Sequence, residues 1–257
     1  MDLGIRGRKA LLSGSSRGLG KACALALAQE GVDITLVART RDILERTADE
    51  LRATGVTVTP VVGDIATPQG RETALTACPA PDILVNNADG RLPGDFRTWT
   101  RDDWISALDT MMLSHIEMIR LTVDGMMARG FGRIVNIVSR SVKIPQAELG
   151  LSNGARSGLV GFVAGLARQT VGRGVTINNL LPGPFDTDAQ REHVQGMVDA
   201  ERSFDQIWNA RVATNPAGRF GQPAELGAYC AFLCSTNAGF VTGQNLLIDG
   251  GSYPGTY

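Results

Sequence analysis

Between Lys9 and Gly31 the chain runs through Lys9-Ala10-Leu11-Leu12, then Ser13-Gly14-Ser15-Ser16-Arg17-Gly18-Leu19-Gly20, then an Ala/Leu-rich segment closing at Gly31. That order predicts a strand, a tight glycine turn and a helix. Glycine tolerates positive φ and lets backbone N–H groups come close to a ligand, while the helix start carries partial positive charge. A phosphate-bearing ligand is the natural occupant. The spacing is Gly-x-x-x-Gly-x-Gly, which departs from the Gly-x-Gly-x-x-Gly dinucleotide fingerprint.

With 257 residues, 43% of them hydrophobic, the chain suffices for a sizeable core, and a single α/β domain over residues 1–257 is expected. A formal net charge of -1 gives no basic field for nucleic acid or an anionic membrane surface, so a small molecule is the expected partner. Neither a leader nor a long apolar span is read, and the chain reads as cytoplasmic. Cys23, Cys78, Cys230 and Cys234 are scattered and lack a nearby His to complete a zinc set, so buried reduced thiols are expected and no metal.

Strand and helix signals alternate along the chain. Strands are expected at Asp33–Ala38, Val56–Val62, Asp82–Val85, Arg133–Val138, Val175–Leu180 and Asn245–Ile248. Helices are expected at Asp42–Thr54, from Pro68, from a capping box at Thr100 and Asp103 through to about Arg129 as one long helix, at Leu149–Val171 and at Pro223–Cys234. Apolar strands separated by helices mean a doubly wound parallel sheet of the Rossmann type, with its ligand beyond the strand C-termini. Those ends carry Ser13-Gly14, Arg39, Asp64, Asn86-Asn87, Ser139 and Pro182-Gly183. Residues 185–220 lack a pattern; they read either as a substrate lid, with Phe185, Phe204 and Trp208 as apolar contacts, or as a peripheral packed helix.

In dinucleotide folds an acidic residue about 20 positions beyond the glycines bonds the ribose 2′-hydroxyl of NAD, whereas arginine accommodates the 2′-phosphate of NADP. Arg39 occupies that place, Arg17 adds a second cation, and the end of the second strand carries no acid. NADP(H) is therefore expected over NAD. Asp64 either accepts from the adenine amino group or caps the next segment.

The segments Ser13–Gly20, Asn86-Asn87-Ala88, Gly132–Ser139, Asn178–Pro184 and Asp249-Gly250-Gly251 resemble the short-chain dehydrogenase/reductase family over nearly the whole chain. The resemblance implies an oxidoreductase acting on a carbonyl/alcohol pair, usually a homotetramer, with the coenzyme on Gly14, Ser16, Arg17, Leu19, Asp64 and Asn87. Gly18, Gly20, Arg39, Ile65, Ala88, Arg156, Pro182 and Gly183 complete the expected coenzyme contacts. The family's working set is a Ser, a Tyr, a Lys four residues later and an Asn. Here Ser139 stands in the Ser position, Ser152 in the Tyr position, Arg156 in the Lys position and Met111 in the Asn position.

A serine alcohol is a far weaker acid than a phenol, and an arginine stays protonated, so Ser139, Ser152 and Arg156 suit oxyanion stabilisation better than proton transfer. Replacement acids could come from Lys143, Glu148, His115 or Asp89. Two other functions fit the altered site: a lyase, dehydratase or isomerase on the same fold, or a silent partner subunit. Gly154, Gly158, Gly161 and Gly165 form a stripe opposite Ser152 and Arg156, permitting close helix packing within the chain or between subunits of a dimer or tetramer. Met111, Met112, Met118, Met126 and Met127 are expected at the same contact.

Overall fold

The computed structural model describes residues 1–256. Seven strands, β1 (Lys9–Ser13), β2 (Asp33–Ala38), β3 (Val58–Val62), β4 (Ile83–Asn86), β5 (Gly132–Ile137), β6 (Val175–Pro182) and β7 (Asn245–Ile248), form one sheet in the order β3-β2-β1-β4-β5-β6-β7. Every pairing is parallel. The connecting helices are α1 (Gly18–Gln29), α2 (Arg41–Arg52), α3 (Pro68–Ala77), α4 (Arg101–Leu108), α5 (Ser114–Arg129), α6 (Gly150–Thr170), α7 (Asp188–Gln195), α8 (Phe204–Ala213) and α9 (Pro223–Cys234).

The two-residue strand period sorts the core into two layers. Ala10 and Leu12 of β1 face the layer holding Leu27 of α1, Leu44 of α2 and Cys230 of α9. Leu11, between them, faces Ala74 of α3, Met118 of α5 and Val163 of α6. All three β1 side chains are fully buried, and burying each leucine contributes roughly 1.5–3 kcal/mol. This is the doubly wound Rossmann-type architecture expected from the alternation.

The helix expected from Thr100 to Arg129 has a different course. Thr100 and Asp103 form the capping box that starts α4, but a π-turn over Asp109–Leu113 joins α4 to α5. The wider turn rotates the helix face while leaving the apolar spacing intact in sequence. It directs Met111 into a cluster with Ala107, Leu151 and Ala155. Residues 185–220 are also structured: α7 and α8 lie between Phe185 and Gly221, which pair as an isolated bridge.

The glycine stripe divides. A Cβ on Gly154 would lie 3.0 Å from Trp104, and one on Gly158 would lie 2.7 Å from the Met112 sulfur, so these two admit neighbouring helices of the same chain. Gly161 and Gly165 face open space. Of the five methionines, only Met112 meets the stripe; Met118 and Met126 lie in the sheet-facing core, Met127 packs beside them, and Met111 belongs to the α4–α6 cluster. The four cysteines are buried and free.

An amide row crosses half the sheet. Asn86 Nδ2 donates to Asn136 Oδ1 at 3.0 Å, Asn136 Nδ2 to Asn179 Oδ1 at 2.9 Å, and Asn179 Nδ2 to Asn245 Oδ1 at 2.8 Å. The four residues are register partners on β4, β5, β6 and β7. Replacing Asn136 by Leu leaves a buried donor and a buried acceptor unpaired, each costing about 1–3 kcal/mol. Asn136→Leu is therefore expected to lower unfolding free energy by roughly 2–6 kcal/mol in urea titration, and an unchanged midpoint would show that the row contributes nothing.

Candidate active site

The groove begins at the turn after β1. Gly14 and Gly18 have φ of 55° and 57°, which a side chain at either position would strain. A Cβ on Gly20 would lie 2.3 Å from the Gly14 carbonyl oxygen, so the first turn of α1 packs directly on the loop. No side chain caps α1, which leaves its first N–H groups at the loop as anion donors. Thr47 Oγ1 donates to the Ser16 carbonyl at 2.7 Å and fixes the loop to α2.

On the β4 side, Ser13 Oγ donates to the Asn87 carbonyl and accepts from the Asn87 N–H, both at 3.0 Å. Asn87 Nδ2 donates to the Gly14 carbonyl at 2.8 Å. These bonds hold the β1 and β4 loops at a fixed separation. Between them lies a cavity of about 440 Å³, lined by Gly14, Ser16, Arg17, Gly18 and Leu19 at one end and by Arg39, Asp64 and Ile65 at another. Asn87, Ala88, Asp89, Val138, Arg156, Pro182 and Thr187 are among the residues lining the rest. Gly20 and Gly183 lie behind this surface, Gly183 so close to Asp249 that a Cβ would meet its backbone at 2.8 Å. Asp64 Oδ1 accepts from the Ala66 N–H at 2.9 Å, while Thr67 caps α3, so the carboxylate holds the turn rather than the helix.

The residues in the positions of the family's Tyr and Lys are joined to each other. Arg156 is buried; its Nε donates to Ser152 Oγ at 3.1 Å, Nη1 to the carbonyls of Ile137 and Val138, and Nη2 to the Ala88 carbonyl at 3.3 Å. The guanidinium is thus engaged at all three nitrogens, and the expected oxyanion fork is largely turned toward protein oxygens. Burial pushes its pKa down to about 10, opposed by the Asp89 charge, so it stays cationic at neutral pH. Ser152 Oγ, accepting from this cation, keeps its own proton to donate. Ser139 follows Val138; its Oγ accepts from the Ser141 N–H at 3.1 Å and likewise retains its proton.

The four possible replacement acids fare differently. Glu148 is exposed, and Lys143 lies with its ammonium 5.4 Å from the Tyr253 ring centroid. Asp89 pairs with Arg39 at 2.5 Å, a partnership between the ends of β4 and β2 that spacing in the sequence does not disclose. His115 is buried. Ser114 Oγ donates to the Thr110 carbonyl at 2.7 Å and contacts His115 Nδ1 at 3.0 Å, so Nδ1 carries the proton and Nε2 is a lone-pair acceptor. Burial first, and Arg156 second, push the His115 pKa down to about 3, which removes it as a proton donor near neutrality.

The residues of 185–220 that approach the groove are not the three aromatics expected there. Thr187 lines it, and Glu192 of α7 meets Arg17 at 3.1 Å. Phe204 instead stacks on Trp208 with centroids 5.5 Å apart, and Trp208 meets Phe220 edge-on at 4.6 Å. Phe185 is buried against Gly221. The aromatics hold this segment together rather than presenting an open apolar surface.

His115 also makes stability depend on pH. Between an ordinary pKa of 6.5 and the folded value of about 3, the unfolded chain binds a proton that the folded chain does not. Its contribution is therefore present above pH 6.5 and is lost as pH falls toward 3, at about 1.4 kcal/mol per pH unit. His115→Gln is expected to flatten the pH dependence of unfolding free energy by roughly that slope between pH 6 and 4; equal slopes for both proteins would refute the buried neutral imidazole.

Comparison with known proteins places this geometry among reductases. The family model described as enoyl-(acyl carrier protein) reductase matches residues 14–253. The 3-oxoacyl-[acyl-carrier-protein] reductase FabG of Vibrio cholerae is 31% identical over 255 residues, covering 98% of this chain and 99% of that protein. Acetoacetyl-CoA reductase of Cupriavidus necator is 32% identical, covering 96% and 99%. The crystal structure of L-sorbose reductase from Gluconobacter frateurii, complexed with NADPH and L-sorbose, superposes with a TM-score of 0.96 at 30% identity over the whole of both chains. On this agreement of sheet, glycine turn and strand-end motifs, the chain belongs to the short-chain dehydrogenase/reductase family.

Proposed function

We propose that the chain is an NADPH-dependent oxidoreductase that interconverts a carbonyl and its alcohol. The carrying observation is the groove itself, in which the glycine turn, the uncapped start of α1, Arg39 and Asp64 stand in the order that pyrophosphate, 2′-phosphate and adenine would need. The residues present fit a nicotinamide dinucleotide. Gly14, Ser16, Arg17, Gly18 and Leu19 would hold the pyrophosphate, Arg39 the 2′-phosphate, Asp64 and Ile65 the adenine, and Asn87, Ala88 and Arg156 the riboses. Reductase names among the relatives, and NADPH in the sorbose reductase structure, support the same reading.

When bound, the reduced coenzyme supplies a hydride. Ser139 and Ser152 then donate hydrogen bonds to the substrate oxygen as it gains negative charge, the second polarised by the Arg156 cation. Arg156 itself fixes this arrangement by holding the carbonyls beside Ser139 and Asn87. The proton comes from water in this reading, because no phenol or amine occupies the family's positions. Pro182, the last residue of β6, and Gly183 after it shape the nicotinamide end. Residues 185–220 act as the substrate cover, tied to the coenzyme loop through Glu192 and Arg17. The open face of α6 at Gly161 and Gly165, beside the partly exposed Phe162, supports association as a dimer or tetramer.

The absence of a phenol and an amine where Ser152 and Arg156 stand favours one second reading, a lyase, dehydratase or isomerase that works without hydride transfer. Absorbance at the reduced nicotinamide band separates the two. NADPH oxidation is expected with at least one of a panel of ketones, keto acids and β-ketoacyl thioesters, and Ser139→Ala is expected to lower kcat about a hundredfold. Tight NADPH binding without absorbance change across the panel would overturn the redox reading in favour of the second.

A further inference from the structure

Both arginines that face phosphate in the reading above are already matched with carboxylates from the opposite bank. Arg17 meets Glu192, and Arg39 Nη2 lies 2.5 Å from Asp89 Oδ2. The second pair spans the adenosine end of the groove: Arg39 follows β2, Asp89 follows the Asn86-Asn87-Ala88 run of β4, and β1 lies between them. Both side chains line the cavity, and at 64% and 67% exposure the pair contributes little to folding. Its position gives it another consequence.

We propose that Asp89 is a coenzyme-specificity residue, its carboxylate competing with the 2′-phosphate for Arg39 and so weakening the preference for NADP(H) over NAD(H). The proposal rests on reading the groove as a nicotinamide dinucleotide site. A 2′-phosphate that engages Arg39 must displace the carboxylate and then leaves it nearby as a like charge. A 2′-hydroxyl imposes neither change. It can donate a hydrogen bond to Asp89 while the ion pair persists, which is the acceptor chemistry that the end of β2 lacks. The acid that ordinarily marks an NAD site at β2 is thus supplied here from β4, facing an arginine that marks an NADP site.

Calorimetric titration of the full-length chain and of Asp89→Asn with NADPH, NADH, adenosine 2′,5′-bisphosphate and 5′-AMP tests this. Asp89→Asn keeps the side-chain shape and removes the charge. It is expected to tighten NADPH and the bisphosphate about two- to fivefold, with NADH and 5′-AMP unchanged or weaker. In an Arg39→Gln background the gain should shrink to the part that comes from relieving like-charge repulsion, and an undiminished gain would overturn the competition for Arg39. An unchanged NADPH/NADH affinity ratio, or equal tightening of both, overturns the role of Asp89 alone. If the unmodified chain binds neither dinucleotide, the groove reading itself falls and the inference with it.

Discussion

The position of β1 between β2 and β4 in a wholly parallel sheet governs everything described above. Parallel neighbours need right-handed crossovers, so the chain leaves β1 toward β2 over one face and returns to β4 on the other side. The loops after β1 and β4 must therefore diverge. The crevice between them follows from topology, before any side chain is chosen. Local chemistry then fixes its width: the reciprocal Ser13–Asn87 bonds and the Asn87–Gly14 bond tie the two loops at hydrogen-bond distance.

Within that crevice, the choice of an arginine at position 156 has structural consequences. An ammonium has three donors around a point, whereas a guanidinium has a flat fork that can satisfy several carbonyls at once. Arg156 uses that fork to bind the ends of β4 and β5 and the hydroxyl of Ser152. The same charge, with burial, keeps His115 neutral. One cation thus orders the strand ends, polarises a hydroxyl and silences the nearest imidazole.

Much of the fold and the groove was legible in the sequence, because glycine turns, β-branched runs and strand-end residues are local signals. The Ser13–Gly20 turn, the period-two burial of β1 and the placement of Arg39, Asp64 and Asn87 on one crevice needed no long-range information. What escaped was pairwise and distant. Asp89 is 50 residues from Arg39 and Glu192 is 175 residues from Arg17, so neither ion pair leaves a spacing. The π-turn inserts a wider loop of helix without disturbing the apolar pattern of Met111 and its neighbours. The aromatics of residues 185–220 announced an apolar surface, but their mutual stacking is a tertiary outcome.

The row of asparagine amides bears on what the lineage of such a chain can alter. Slipping any of β4 to β7 by one residue would turn its amide to the opposite layer and strand its neighbours' polar atoms among hydrocarbon. Insertions and deletions inside these strands are consequently disfavoured, and changes of length fall to the segments that connect them. The row thus holds the scaffold's alignment fixed while the connecting segments are free to change.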